Sequence, residues 1–199
     1  MYSLDVFPIQ SVNTDEIESL PPSAIDYVNR ASGNARQERA AAMVGLQKAL
    51  LTRNIASFRL LVSPNGKPYL ENEPPYFSVS HSGGLCTVAL SDSPVGVDLQ
   101  SLDFAEKIGD TDKFARRFFA PDEYAEFSKT PSPQKLCELW TRKEALCKLL
   151  DRPLSLSLSS LSSYVGAEGV KFVTNIYDHP FPHVITTAEK FLQGDKNGK

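Results

Sequence analysis

A handful of polar side chains in the second half of the chain are spaced so that they could hold a metal ion and phosphates together. Asp98 and Gln100 lie two residues apart in Val95-Gly96-Val97-Asp98-Leu99-Gln100. If that stretch is a strand, both side chains leave the same face. Glu144 and Lys148 lie four residues apart in Trp140-Thr141-Arg142-Lys143-Glu144-Ala145-Leu146-Cys147-Lys148-Leu149-Leu150, and on a helix they share a face, with Lys143 beside them. Oxygen ligands suit Mg²⁺, which keeps several waters and is shared between carboxylate and phosphate. The same residue types also decorate solvated helices as ion pairs, and an aspartate at a strand end also serves to bond a turn. Taken alone, the residues leave both readings open. A third group is Ser80-His81-Ser82-Gly83-Gly84. A nucleophile elbow would read Gly-x-Ser-x-Gly; Ser80 stands where the first glycine should be, and no acid partner is identifiable. A hydroxyl and an imidazole N–H can each donate to a phosphate oxygen, although a lone histidine at a strand end is commonly structural.

The elements that must position these groups follow from patterning. Tyr2, Leu4 and Val6 alternate, which predicts a strand over 2–7. Pro21-Pro22-Ser23 opens a short helix with Ser23 as its cap, and Asn34 caps a longer Ala- and Leu-rich helix to Arg53. Strands are expected over 55–62, 76–80, 85–91 and 95–100, and the short turns between the last three imply antiparallel pairing. Residues 111–119 and a segment from Pro121 read as helices. Ser132-Pro133 opens the helix that carries Glu144, Pro153 lies just beyond its end, and Leu136, Leu139, Leu146 and Leu150 form its inward stripe. Residues 153–163 suit a loop or edge strand, 169–177 and 183–188 a closing hairpin, and 194–199 a disordered tail. The order of strand, helices and strands occurs twice. The expected class is therefore α+β, with an N-terminal half over 1–93 and a C-terminal half over 94–193.

The 199 residues carry a net charge of −3, so nothing global suggests nucleic acid, and a phosphate site must be a local basic cluster. No stretch approaches membrane-spanning length. The start, Met1-Tyr2-Ser3-Leu4-Asp5, lacks the features of a signal peptide. Cys86, Cys137 and Cys147 are odd in number and have no Cys-x-x-Cys spacing, which suits reduced thiols in a cytoplasmic protein. With His81, His179 and His183 they are too dispersed for a zinc site.

In order along the chain, Ser80-His81-Ser82, Gly96-Val97-Asp98-Leu99-Gln100 and Trp140-x-x-Lys143-Glu144-x-x-x-Lys148 resemble the motifs of the 4′-phosphopantetheinyl transferase superfamily, in its surfactin-synthetase-activating (Sfp-type) branch. Gly66-Lys67-Pro68, Arg117-Phe118-Phe119 and Glu123-Tyr124 fit the family's intervening segments, and the resemblance runs from about Arg36 to about Ala188. It departs at Gln100, where the family pattern has Glu. The resemblance implies two similar halves related by a pseudo-twofold axis, with the active site between them and Trp140 packing its helix there. It implies transfer of 4′-phosphopantetheine from CoA to a serine of an apo acyl or peptidyl carrier protein, with Mg²⁺ held by Asp98, Gln100 and Glu144. Glu144, Asp98 and Lys148 would be catalytic. Arg39 (or Arg36), Lys67, Ser80, His81, Lys143 and Lys148 would contact CoA. One chain carrying every motif implies a monomer. Two other readings remain open on the sequence: a module that binds CoA or a carrier but is weakened in catalysis, for which Gln100 is the support, and a hydrolase using Ser80 or Ser82.

Overall fold

The computed structural model describes residues 2–153, 159–164, 167–178 and 181–190. The chain divides into two compact units, Met1–Val95 and Gly96–Lys199. Both are α+β, with antiparallel sheets.

In the first unit, β1 (Tyr2–Pro8) leads through a 3-10 turn at Ile9–Ser11 to α1 (Thr14–Glu18). Asn13 caps α1 in a reciprocal capping box with Glu16, a signal the hydrophobic pattern does not carry. Next come α2 (Pro22–Asn29) and α3 (Gly33–Leu51), then the short strands β2 (Leu60–Val62) and β3 (Pro68–Leu70), and then β4 (Tyr76–Ser82) and β5 (Leu85–Ser91). The main sheet runs β1-β5-β4, all antiparallel, and β2 pairs with β3. The β4–β5 turn is Gly83-Gly84, with both residues at positive φ (56° and 80°) as a tight two-residue hairpin requires. Met43, Leu46 and Leu50 of α3 form a core with Val88, Leu90 and Phe77 of the sheet. Three expectations are corrected. Ser23 is not a cap: its hydroxyl accepts from the Leu60 amide at 2.9 Å, and Pro22 opens α2 instead. Ser32, not Asn34, precedes α3. The strand expected over 55–62 shrinks to Leu60–Val62.

The second unit begins within β6 (Val95–Ser101). It continues through α4 (Phe104–Ile108), α5 (Thr111–Phe118), α6 (Pro121–Lys129) and α7 (Pro133–Leu149) to the hairpin of β7 (Val170–Tyr177) and β8 (His183–Lys190). Its sheet order is β6-β8-β7. Thus β6 does not extend the β4–β5 hairpin, despite the short turn before it: a short connection implies pairing only when both strands stay in one sheet. Asp110 and Ser132 cap α5 and α7 by accepting from Lys113 and Lys135 amides. Leu136, Leu139 and Leu146 are buried as expected, but Leu150 falls at the C-cap and is 38% exposed. A chain of hydroxyls ties α7 to the hairpin: Thr141 Oγ1 lies 2.7 Å from Thr186 Oγ1, which lies 2.9 Å from Thr174 Oγ1. Residues 159–164 have no regular structure, and residues 154–158 and the expected tail over 194–199 lie outside the described residues. Among the described residues no helix is long and apolar enough to cross a membrane. All three cysteines are free and buried. Burial pushes the Cys137 thiol up to about 12 and Cys147 to about 11, so neither is a ready nucleophile.

Candidate active site

The site in the second unit begins with a glycine. A Cβ on Gly96 would stand 2.0 Å from the Ala145 carbonyl oxygen and 2.6 Å from the Leu149 amide nitrogen. Only glycine lets the backbone of α7 lie this close on β6. The close approach sets Asp98, 2% exposed, under the helix, where Lys148 Nζ donates to its Oδ1 at 2.7 Å. One helical turn earlier, Glu144 reaches the same aspartate. Burial and the neighbouring Asp98 charge push the Glu144 carboxyl up to about 8, a hydrogen bond with Asp98 adds to the rise, and Lys148 pulls the other way. Gln100 leaves β6 on the same face as Asp98 and is half-buried.

This donor set fits Mg²⁺. Among the described residues no group of three or more His, Cys, Asp or Glu side chains forms a cage. Mg²⁺ does not need one, because it is bound through one or two carboxylates plus substrate phosphates. Two carboxylates in hydrogen-bond contact, with an amide on the same strand face and an ammonium within reach, would hold a divalent cation and a pyrophosphate together.

Lys143, expected to address phosphate, lies in the core of the second unit. Its side chain is fully buried, 2.5 Å from Glu123 Oε2 and hydrogen-bonded to the Leu161 carbonyl. The physical reason is its position: Lys143 lies four residues after Leu139 and three before Leu146, inside the apolar stripe of α7. Glu123, named above only as fitting an intervening family segment, is the partner that Lys143 meets. It stands three residues after the N-cap Ala120 and accepts from that residue's amide at 2.9 Å, so the Ala-Pro-Asp-Glu start of α6 was the available signal. Trp140, expected between the halves, packs within its own unit on Phe104, Phe114 and Phe118 at centroid distances of 5.9, 5.0 and 6.0 Å. Phe119 is buried in the same cluster.

The remaining candidates belong to the first unit. Arg39 donates to the Tyr27 carbonyl at 3.1 Å, with its guanidinium 4.6 Å over the Tyr27 ring, and Arg36 bonds the Asn29 side chain. Ser80 is buried on β4, whereas His81 is exposed with Nδ1 3.5 Å from Glu38 Oε1. Lys67 is half-buried in the β2–β3 turn, where its backbone amide donates to Ser63 Oγ.

A β strand and a helix brought into backbone contact, each giving a carboxylate, with a lysine over the pair, make up the candidate site. The family model of the 4′-phosphopantetheinyl transferase superfamily matches residues 94–195, which takes in all of these side chains, and the chain belongs to that family. It is 34% identical to the 4′-phosphopantetheinyl transferase psf-1 of Bacillus pumilus over 62% of this chain and 52% of that protein. It is 36% identical to a 4′-phosphopantetheinyl transferase of Bacillus subtilis over 54% and 48% of the two chains. It is 28% identical to the 4′-phosphopantetheinyl transferase Sfp of Bacillus subtilis strain 168 over 57% and 50%. The matched region spans about half the length of these relatives.

Proposed function

We propose that this protein transfers 4′-phosphopantetheine from CoA to a serine of an apo acyl or peptidyl carrier protein, with Mg²⁺, and releases 3′,5′-ADP. The observation that carries this reading is the Asp98–Glu144–Lys148 cluster, built where the Gly-x-Asp strand and the Lys-Glu-x-x-x-Lys helix meet. The serine oxygen attacks the β-phosphorus, the bond from that phosphorus to the bridging oxygen breaks, and the bridging oxygen leaves with the nucleotide. Such a step depends on positioning and charge more than on covalent help. Asp98 and Glu144, with Gln100 beside them, would hold the cation, which would supply positive charge to offset the charge of the leaving group. Lys148, poised over Asp98, adds positive charge at the phosphates. Glu144, directly or through a water, takes the serine proton. Arg39, Lys67, Ser80 and His81 supply hydrogen bonds and charge to CoA, and the protein works as a monomeric cytoplasmic enzyme. Lys143 is left out of the phosphate contacts.

The test is direct. Protein, Mg²⁺, CoA and a panel of apo carriers are mixed, and each carrier is weighed by mass spectrometry. One added phosphopantetheine mass on a carrier, with 3′,5′-ADP released, is the expected result. Unchanged carriers throughout, with CoA still bound, would favour a binding module weakened by its neutral Gln100.

A further inference from the structure

The buried ion pair of Glu123 and Lys143 is used by none of these steps, yet every one of its polar atoms is hydrogen-bonded. Both side chains are fully buried. Glu123 Oε2 accepts from Lys143 and from the Ala120 amide, while Oε1 accepts from the Ser163 amide at 2.9 Å. Lys143 also donates to the Leu161 carbonyl. The flanking residues act on the same stretch. Ser162 Oγ donates to the Asp122 carboxylate, Arg142 donates to the Ser163 carbonyl at 3.2 Å, and its guanidinium lies 4.9 Å over the Tyr164 ring. Four consecutive residues without regular structure, 161–164, are therefore held by side-chain hydrogen bonds and a ring contact from the first turn of α6 and the turn of α7 that ends at Glu144.

A buried ion pair adds little stability over an apolar pair of the same shape, but breaking it from one side leaves a buried charge uncompensated. What it adds is direction, because leucine contacts do not fix a helix rotation and hydrogen bonds do. A phosphate could reach Lys143 only by entering the core or by drawing the ammonium away from Glu123. We propose that Glu123 and Lys143 are positioning residues. The pair locks the Glu144 turn of α7 to α6 and to residues 161–164, and neither group touches CoA. This rests on the transferase reading given above.

The experiment compares the full-length wild type with Lys143→Met, Glu123→Gln and the double variant Glu123→Leu/Lys143→Met. It measures turnover, KM for CoA, CoA affinity by calorimetry, and thermal unfolding. Both single variants should lose about tenfold or more in kcat, since a misplacement on the order of 1 Å can cost about a hundredfold, while KM and affinity for CoA stay within about twofold. The double variant has no orphaned charge. It should recover the melting temperature but not the turnover, and it carries the test if the single variants fail to fold. Loss of CoA affinity in Lys143→Met but not in Glu123→Gln would make Lys143 a phosphate ligand and overturn the proposal. Wild-type turnover in the double variant would reduce the pair to packing and overturn it as well. A wild type that transfers nothing sinks the transferase reading itself. The tether is then read from hydrogen exchange: the Ser163 amide loses protection in the double variant if the pair holds it, and unchanged protection refutes the tether.

Discussion

Replacing Gly96 with Ala tests whether the site is built by backbone contact. The added Cβ would sit 2.0 Å from the Ala145 oxygen, where about 3.0 Å is the closest a real Cβ comes. Strand and helix must therefore part by about 1 Å, the difference between those distances. Both obstructing atoms are backbone, so no side chain can rotate out of the way. Overpacking of this kind costs about 1–3 kcal/mol, and at this chain length each kcal/mol lowers Tm by about 2–4 °C. A fall of about 2–12 °C is expected. The same 1 Å stretches the 2.7 Å bond from Lys148 to Asp98 past useful hydrogen-bonding distance and loosens Glu144 from Asp98. Turnover should fall by about tenfold to a hundredfold even where the variant is fully folded. Circular dichroism melts and carrier mass-shift rates, taken on one preparation, measure both. Wild-type Tm together with a wild-type rate would refute the close approach and the argument built on it.

Asp98→Ala or Glu144→Ala should each lower turnover by about a hundredfold or more, the scale on which preorganised charge stabilisation is felt, while circular dichroism shows a folded chain; a near wild-type transfer rate in either would remove it from the metal set. Because the Glu144 carboxyl is raised from 4.5 to about 8 in the folded state, the metal-free protein loses stability through this group as pH rises across that window. Melts in chelator from pH 5 to 9 should therefore show Glu144→Gln gaining on wild type with pH, and parallel curves would contradict the raised carboxyl. Ala substitution of Lys67, His81 or Lys148 should weaken CoA binding more than carrier binding in calorimetry, because the proposed function assigns these groups to the ligand's phosphates; unchanged CoA affinity in all three would take them out of the site. Gln100→Glu should shift half-saturation of turnover to lower Mg²⁺ and Gln100→Ala to higher, and if both keep the wild-type curve Gln100 lies away from the metal.

Much of the second unit is legible in the chain because its signals are local. Ser132-Pro133 marks the start of α7 to the residue, and the spacing of Glu144 and Lys148 puts them on one face. Lys143 was readable too, since it sits inside the Leu139–Leu146 stripe, but its partner Glu123 comes from another helix and twenty residues away. The same limit applies to Ser23, which has every local feature of a helix cap yet serves the amide of Leu60. Likewise β6 pairs with β8 and lies against α7 at Gly96, whatever the turn before it suggests. Motif strands and helices are thus visible from spacing, while the reason Gly96 is a glycine appears only once the helix lies on it.

The hydroxyl chain from Thr174 through Thr186 to Thr141 has a mechanical consequence. A helix seated on leucines can creep along its axis with little resistance, because apolar contact has no preferred direction. Thr141 acts as a key against creep. Any axial shift of α7 along β8 must first open the 2.7 Å bond between Thr141 and Thr186, and both threonines are buried where no solvent can replace it. Such a bond contributes about 0.5–1.5 kcal/mol net. Glu144 follows three residues on, about 4.5 Å along the axis. The Glu144 carboxylate is thereby indexed to β8 of the hairpin.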